Sequence, residues 1–139
     1  QLLGTEYCRK DIITRFINKE KMYDGFTKIS FIYPHAVASM KVGQGAKSEG
    51  EMIVSGTKGY IYVPAPWWKT DYFEVRYENQ QNNKRYFYQL DGEGLRYELL
   101  SFLKAIRTGK EFSYVANDIS KAITSTIADF YAHQDMTVI

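Results

Sequence analysis

The sequence predicts an α+β domain in which an open, mainly antiparallel sheet of about six to seven strands carries helices packed on one face. Three observations point there. Residues 11–90 hold short apolar runs, broken by Gly, Pro and Asn, with the period of two that strands show. Residues 94–131 switch to apolar spacings of three and four, the period of a helix. Aromatic content is 16%, with 12 Tyr and 8 Phe against 2 Trp, and such flat, half-polar side chains suit pleated surfaces. Strands first and helices last is the order of α+β, not the alternation of a parallel α/β sheet. At 139 residues the chain reads as one domain, 1–139, able to bury roughly 65–70% of its unfolded surface.

The elements follow in order. Gln1-Leu2-Leu3-Gly4 resembles the last turn of a helix stopped by glycine, as if the chain begins mid-protein. Asp11 to Asn18 reads as a strand (Ile12, Ile13, Phe16, Ile17), with polar turns at Asn18 to Lys21 and at Asp24-Gly25. Phe26 to Tyr33 and Ala36 to Val42 pair around Tyr33-Pro34-His35, and Gly43 to Gly50 is a glycine-rich loop. Glu51 to Val54 and Gly59 to Val63 make a tight hairpin through Ser55-Gly56-Thr57-Lys58, with positive φ expected at Gly56 and Gly59. Pro64-Ala65-Pro66 ends that hairpin. Asp71 to Tyr77 and Lys84 to Leu90 are the last strands, separated by the polar run Glu78 to Asn83. Leu95, Leu99, Phe102, Leu103 and Ile106 form a core-facing helical stripe closed by Gly109, and Asn117 is placed to cap a second helix carrying Ile119, Ala122, Ile123, Thr126, Ile127, Phe130 and Tyr131.

Composition narrows the function classes. Hydrophobic residues are 45% and charged residues 24%, which excludes disorder. The net charge is only +2 and the basic residues are scattered, so no stripe tracks a phosphate backbone and nucleic acid is disfavoured as a partner. No apolar run nears the roughly 20 residues that span a bilayer, so no membrane is expected and the chain reads as soluble and cytoplasmic. Cys8, alone, reads as a packed thiol, and with His35 and His133 it supplies no zinc ligand set. Gly43-Gln44-Gly45 fails as a dinucleotide fingerprint because Ser48 stands at its third glycine. Ala46-Lys47-Ser48 fails as a phosphate loop for want of a glycine before the lysine. Ser55 follows Val54 with Ile53 where a nucleophile elbow needs glycine. His133 sits where a helix end favours a cation, and His35 has no local carboxylate to orient it as a base.

Pro66-Trp67-Trp68-Lys69-Thr70 is the segment least like ordinary packing. Adjacent tryptophans in extended chain point opposite ways, so both cannot enter one core. One of them is left to line a cleft or an interface, or else to cap the sheet edge. Trp67, Trp68 and Lys69 are therefore the substrate-side candidates, and neither a catalytic, a cofactor-binding nor a metal-binding residue is assigned.

Two stretches carry a resemblance: Glu51 to Val63 with its Gly56-Thr57-Lys58-Gly59 hairpin, and Gly92-Glu93-Gly94-Leu95-Arg96-Tyr97-Glu98-Leu99-Leu100-Ser101-Phe102-Leu103-Lys104-Ala105-Ile106-Arg107-Thr108-Gly109-Lys110. With Ser120-Lys121-Ala122-Ile123 in the last helix, this order resembles the C-terminal domain of the glucose–fructose oxidoreductase, inositol dehydrogenase and MocA family, over about Phe26 to Tyr131. The resemblance implies a parent oxidoreductase with an N-terminal Rossmann domain binding NAD or NADP, acting on a sugar, cyclitol or related polyol. It implies that catalysis rests on a lysine in a Glu-Lys-Pro motif, which does not occur here, and on a histidine in an Asp-x-x-x-His motif on a helix just before the region where this chain starts. The fragment is then expected to hold no cofactor and to be inactive alone, serving as substrate-side and dimerisation domain.

The residues add a physical reason for association. Phe73, Val75 and Tyr77 oppose Tyr72 and Arg76, while Tyr86 and Tyr88 oppose Phe87; two helices cannot cover both faces, so a tyrosine-rich, helix-free face is left to form a homodimer. The reading from another class is a free-standing binding module using that face for carbohydrate or protein.

Overall fold

The computed structural model describes residues 2–92, 94–110 and 112–139. Gln1, in the expected helix end, and Glu93, in the motif leading the first helix, lie outside the described residues. In chain order the elements are β1 (Arg9–Asn18), β2 (Tyr23–Ile32), β3 (Val37–Val42), β4 (Met52–Gly56), β5 (Gly59–Val63), β6 (Tyr72–Tyr77), a short 3-10 turn (Gln80–Asn82), β7 (Lys84–Phe87), α1 (Leu95–Thr108), α2 (Asn117–Tyr131) and β8 (Met136–Val138). The fold is α+β, but among the described residues the strands form two four-stranded sheets, ordered β3-β2-β1-β8 and β4-β5-β6-β7. This corrects the single sheet of about six to seven strands. The chain divides into two compact units, Gln1–Ser48 with Tyr114–Ile139, and Glu49–Ser113.

The split has a local cause. Short turns fix β2–β3 and β4–β5 as hairpin neighbours, whereas β3 and β4 are separated by the glycine-rich loop, which imposes no register. That loop folds back on β2: Gly45 N–H donates to the Gly25 carbonyl at 2.9 Å, and a Cβ at Gly43 would stand 3.0 Å from the same oxygen. Gly25 is itself inside β2, not in a turn as expected for Asp24-Gly25. Its missing side chain leaves room for Ile17, whose Cγ1 would lie 2.7 Å from a Cβ there, beside a register shift between Arg15 and Phe16. The turn expected at Asn18 to Lys21 is present, at residues 19–22, where Lys21 N–H donates to Asn18 Oδ1 at 2.9 Å.

In the first unit, alternate residues of β1 make the core. Ile12 is 1% exposed, and Lys10, Thr14 and Thr27 are buried with it. The antiparallel register sets Thr14 against Thr27 and Ile12 against Ile29. The two threonine hydroxyls lie 2.8 Å apart, Thr27 Oγ1 donates to Asp24 Oδ2 at 2.6 Å, and Thr14 Oγ1 donates to the Phe26 carbonyl at 3.2 Å. Each buried hydroxyl is thereby satisfied. α2 joins this sheet through Phe130, whose ring centroid is 6.0 Å from that of Phe16, and through Asp129, which pairs with Lys10. Beyond α2, β8 runs parallel to β1 with Met136 opposite Ile12, a strand too short to leave a periodic signal.

In the second unit β5 occupies the span the sequence predicts, and α1 lies between Gly94 and Gly109, the latter in the left-handed conformation at φ 64°. Four expectations are corrected. Gly56 is not among the glycines with positive φ, although Gly59 is, at 157°. Asn117 is the first residue of α2, preceded by Ala116 without a side-chain cap. Cys8 is exposed; it precedes β1, where its N–H donates to Ile32 O, outside the packed stretch. The stripe Leu95, Leu99, Phe102, Leu103 and Ile106 on α1 is exposed and not core-facing, because periodicity shows which residues share a side of a helix but not what covers them.

Candidate functional site

The tryptophan pair follows from proline chemistry. Pro64 and Pro66 have no N–H to donate, so the β5 ladder stops at Val63. The Ala65–Pro66 bond is cis, Trp67 N–H donates to Gly50 O at 2.9 Å and Lys69 N–H to Pro66 O at 2.9 Å. This loop holds both indoles outside any core: Trp67 is 48% and Trp68 63% exposed. Their rings meet edge to face, centroids 6.0 Å apart at 90°. The expectation that both cannot enter one core holds, and the structure leaves each of them partly in water. Lys69 is exposed beside them.

The sheet of the second unit has two chemically different faces. Pairing of Val54 with Ile61, Ile61 with Val75 and Phe73 with Tyr86 places the apolar residues together. The opposite face, read from the same registers, carries Ile53, Tyr60, Tyr62, Tyr72, Glu74, Arg76, Arg85 and Phe87. This is the alternation expected for Tyr72 and Arg76 against Phe73, Val75 and Tyr77.

Glu74 organises that second face. Arg76 Nε donates to its Oε2 at 2.6 Å, and Arg85 donates to its Oε1 through Nε at 2.9 Å and Nη2 at 2.5 Å. The guanidinium of Arg76 then lies 4.4 Å from the Tyr62 ring centroid and 5.9 Å from that of Tyr60. That of Arg85 lies 4.8 Å from Tyr72, within cation–π range, and Phe87 leans on Tyr72 with centroids 5.9 Å apart. The bonds from Arg85 and then Arg76 hold the Glu74 carboxyl below its ordinary value of 4.5. Burial, and next a hydrogen bond to Glu51, pushes the Tyr62 phenol up. Sequence reasoning named the face but missed Glu74 as its hub; the period-two spacing of Tyr72, Glu74 and Arg76 was the available signal, and Arg85 joins only through β6–β7 register.

A carboxyl held low in the folded chain stabilises it above the unfolded value, and that stability is lost as pH falls through the lowered folded one. Melting temperature is therefore expected to fall on acidification from about pH 6 to about pH 3 more steeply in the wild type than in Glu74→Gln, as followed by circular dichroism.

The other sequence candidates stand apart from this face. His35 is exposed at the β2–β3 turn. His133, at φ 56°, rests near Phe16 with ring centroids 6.3 Å apart. Among the described residues no three His, Cys, Asp or Glu side chains group as metal ligands, and no helix is long and apolar enough to cross a membrane.

By sequence the chain matches no known family and no curated protein. Its fold does match solved structures. One is a point mutant of KijD10, a 3-ketoreductase from Actinomadura kijaniata in complex with TDP-benzene and NADP, at 8% identity and TM-score 0.69, covering 94% of this chain and 42% of that one. Another is a protein from Erwinia carotovora atroseptica SCRI1043 provisionally assigned as an oxidoreductase, at 14% identity and TM-score 0.59, covering 96% of this chain and 41% of that one. The chain thus spans about two fifths of the length of these structures and shares the fold of part of each.

Proposed function

We propose that this chain is the C-terminal substrate-side and dimerisation domain of an NAD(P)-dependent cytoplasmic oxidoreductase acting on a sugar, cyclitol or related polyol, with cofactor and catalytic residues upstream. The observation that carries the reading is the fold match over 94% of this chain to a ketoreductase crystallised with NADP, which agrees with the Gly56 to Gly59 hairpin and the Tyr97 to Lys110 helix pattern. Trp67, Trp68 and Lys69 form part of a substrate wall in the parent protein. The tyrosine face of β4–β7 pairs with its copy in an isologous dimer. The free-standing binding module draws on the same face, where Phe87 is 73% exposed.

Pyrophosphate binding in dehydrogenases needs a glycine-rich turn feeding a helix N-terminus, and Gly43-Gln44-Gly45 is followed by β4 and not by a helix. Titrating NADH or NADPH into the 139-residue chain, read by Trp67 and Trp68 fluorescence and by calorimetric heat, is expected to give no saturable binding. The protein containing this chain with its upstream region is expected to reduce NAD or NADP with a sugar or cyclitol substrate. Saturable micromolar binding by the short chain would place the cofactor site in it and overturn the assignment.

A further inference from the structure

We infer that Trp67 and Trp68 select ring-closed substrates: the two indoles take the C–H face of a saturated six-membered ring, a pyranose or a cyclitol, in preference to an open-chain polyol. The inference rests on the substrate-wall reading above. Both tryptophans stand in a turn, with 48% and 63% of their surface in water, whereas indoles that only capped the edge of a sheet would be covered by it. Their planes meet at 90° with centroids 6.0 Å apart. The two rings therefore make a corner, one serving as floor and the other as side wall. This corner is fixed before any ligand arrives. Trp67 N–H is tied to Gly50 O and Lys69 N–H to Pro66 O, each at 2.9 Å, and edge-to-face packing restrains the two side chains against each other. A platform ordered in this way loses little conformational freedom on binding.

The chemistry of the floor sets the chemistry of the ligand. An indole face carries the negative part of the ring quadrupole, so it favours C–H groups whose hydrogens are made positive by a neighbouring oxygen. A pyranose or cyclitol with equatorial hydroxyls gathers its axial C–H bonds on the two faces of the ring and keeps its hydroxyls around the rim. On a pair as exposed as this one those hydroxyls stay in water, and none is buried without a partner. An open-chain polyol turns hydroxyls to every side of its backbone, so lying on an indole strips some of them of water. It also gives up the free rotations of its chain, which ring closure has already removed.

The test uses the 139-residue chain with two probes, methyl β-D-glucopyranoside and D-glucitol. Trp67 and Trp68 are the chain's two tryptophans, so its indole emission reports this pair alone. The glucoside is expected to shift that emission to the blue and to saturate at millimolar concentration, with glucitol about tenfold weaker or more. Trp67→Ala and Trp68→Ala, each followed through the remaining indole, are expected to lose about tenfold or more in affinity for the glucoside. The double change Trp67→Phe with Trp68→Phe keeps two aromatic faces, and saturation-transfer NMR is expected to place its affinity within about three- to fivefold of wild type. Unchanged circular dichroism in these variants separates loss of stacking from loss of fold. Equal affinity of the wild type for glucoside and glucitol, or no saturable binding of either, would overturn the inference and leave the oxidoreductase reading to be judged by nicotinamide reduction in the protein with its upstream region. Glucoside binding that depends on the pair, in a parent that reduces neither NAD nor NADP, would sink the oxidoreductase reading while the ring preference stands.

Discussion

Replacing Asp129 by Ala is expected to destabilise the first unit by about 3–5 kcal/mol, the cost of leaving one partner of a buried ion pair without the other. Lys10 is the reason. Its side chain is 2% exposed and sits on the buried row of β1 with Ile12 and Thr14, so once the carboxylate is gone its ammonium has neither water nor counter-charge. The pair is also a tie between α2 and β1, adjacent on its helix to Phe130, which packs near Phe16. The contrast variant is the double change Lys10→Met with Asp129→Leu, which substitutes apolar contact for the pair and is expected to stay within about 1–2 kcal/mol of wild type. Urea titration followed by circular dichroism gives both values. A single Asp129→Ala chain as stable as wild type would show that Lys10 reaches solvent.

Gly59→Val is expected to cost about 3 kcal/mol. At φ 157° a side chain is disfavoured, and a Cβ there would stand 2.4 Å from the carbonyl oxygen of Arg76, backbone that belongs to the neighbouring strand and cannot swing away. The substitution strains β5 against β6 beside the arginine that Glu74 holds. Gly56→Val, on the other side of the same turn, meets only Gly59 O at 3.4 Å and is expected to change stability by less than about 1 kcal/mol. Thermal melts of the two variants side by side measure the difference; equal effects would mean that the close approach at Gly59 relaxes freely.

What the sequence shows well is what is local. The hairpin turn at Tyr33-Pro34-His35, the span of β5 and the Gly109 stop of α1 each depend on a few neighbouring residues whose backbone preferences decide them. Trp67 and Trp68 stay out of the core for a reason other than alternation in an extended chain: they sit in a turn, after prolines that end the ladder. Pairing between distant strands is another matter. Nothing in Val37 to Val42 or Met52 to Gly56 states that these strands belong to different sheets, and Gly25 reads as a turn residue because a close approach by Ile17 leaves no mark near it in sequence. Lys10 looks like an ordinary strand-edge cation until Asp129 is brought to it from the far end of the chain. Glu74 is hidden in the same way: its alternation with Tyr72 and Arg76 is visible, but its second arginine comes from another strand.

The first unit is discontinuous, made of Gln1–Ser48 and Tyr114–Ile139 with Glu49–Ser113 between them, and this shapes its synthesis on the ribosome. β1, β2 and β3 emerge first and can pair as hairpins, but α2 and the parallel β8 follow only after the second unit has been made. At translation speeds of about 5–20 residues per second that leaves roughly 5–20 s during which the row Lys10, Ile12 and Thr14 lies uncovered and one edge of β1 is unpaired. The second unit, continuous in sequence, is free to complete its own ladder within that interval. Within this stretch the fold therefore matures from the middle outward, and the interval before α2 and β8 are made is when a chaperone has most to protect.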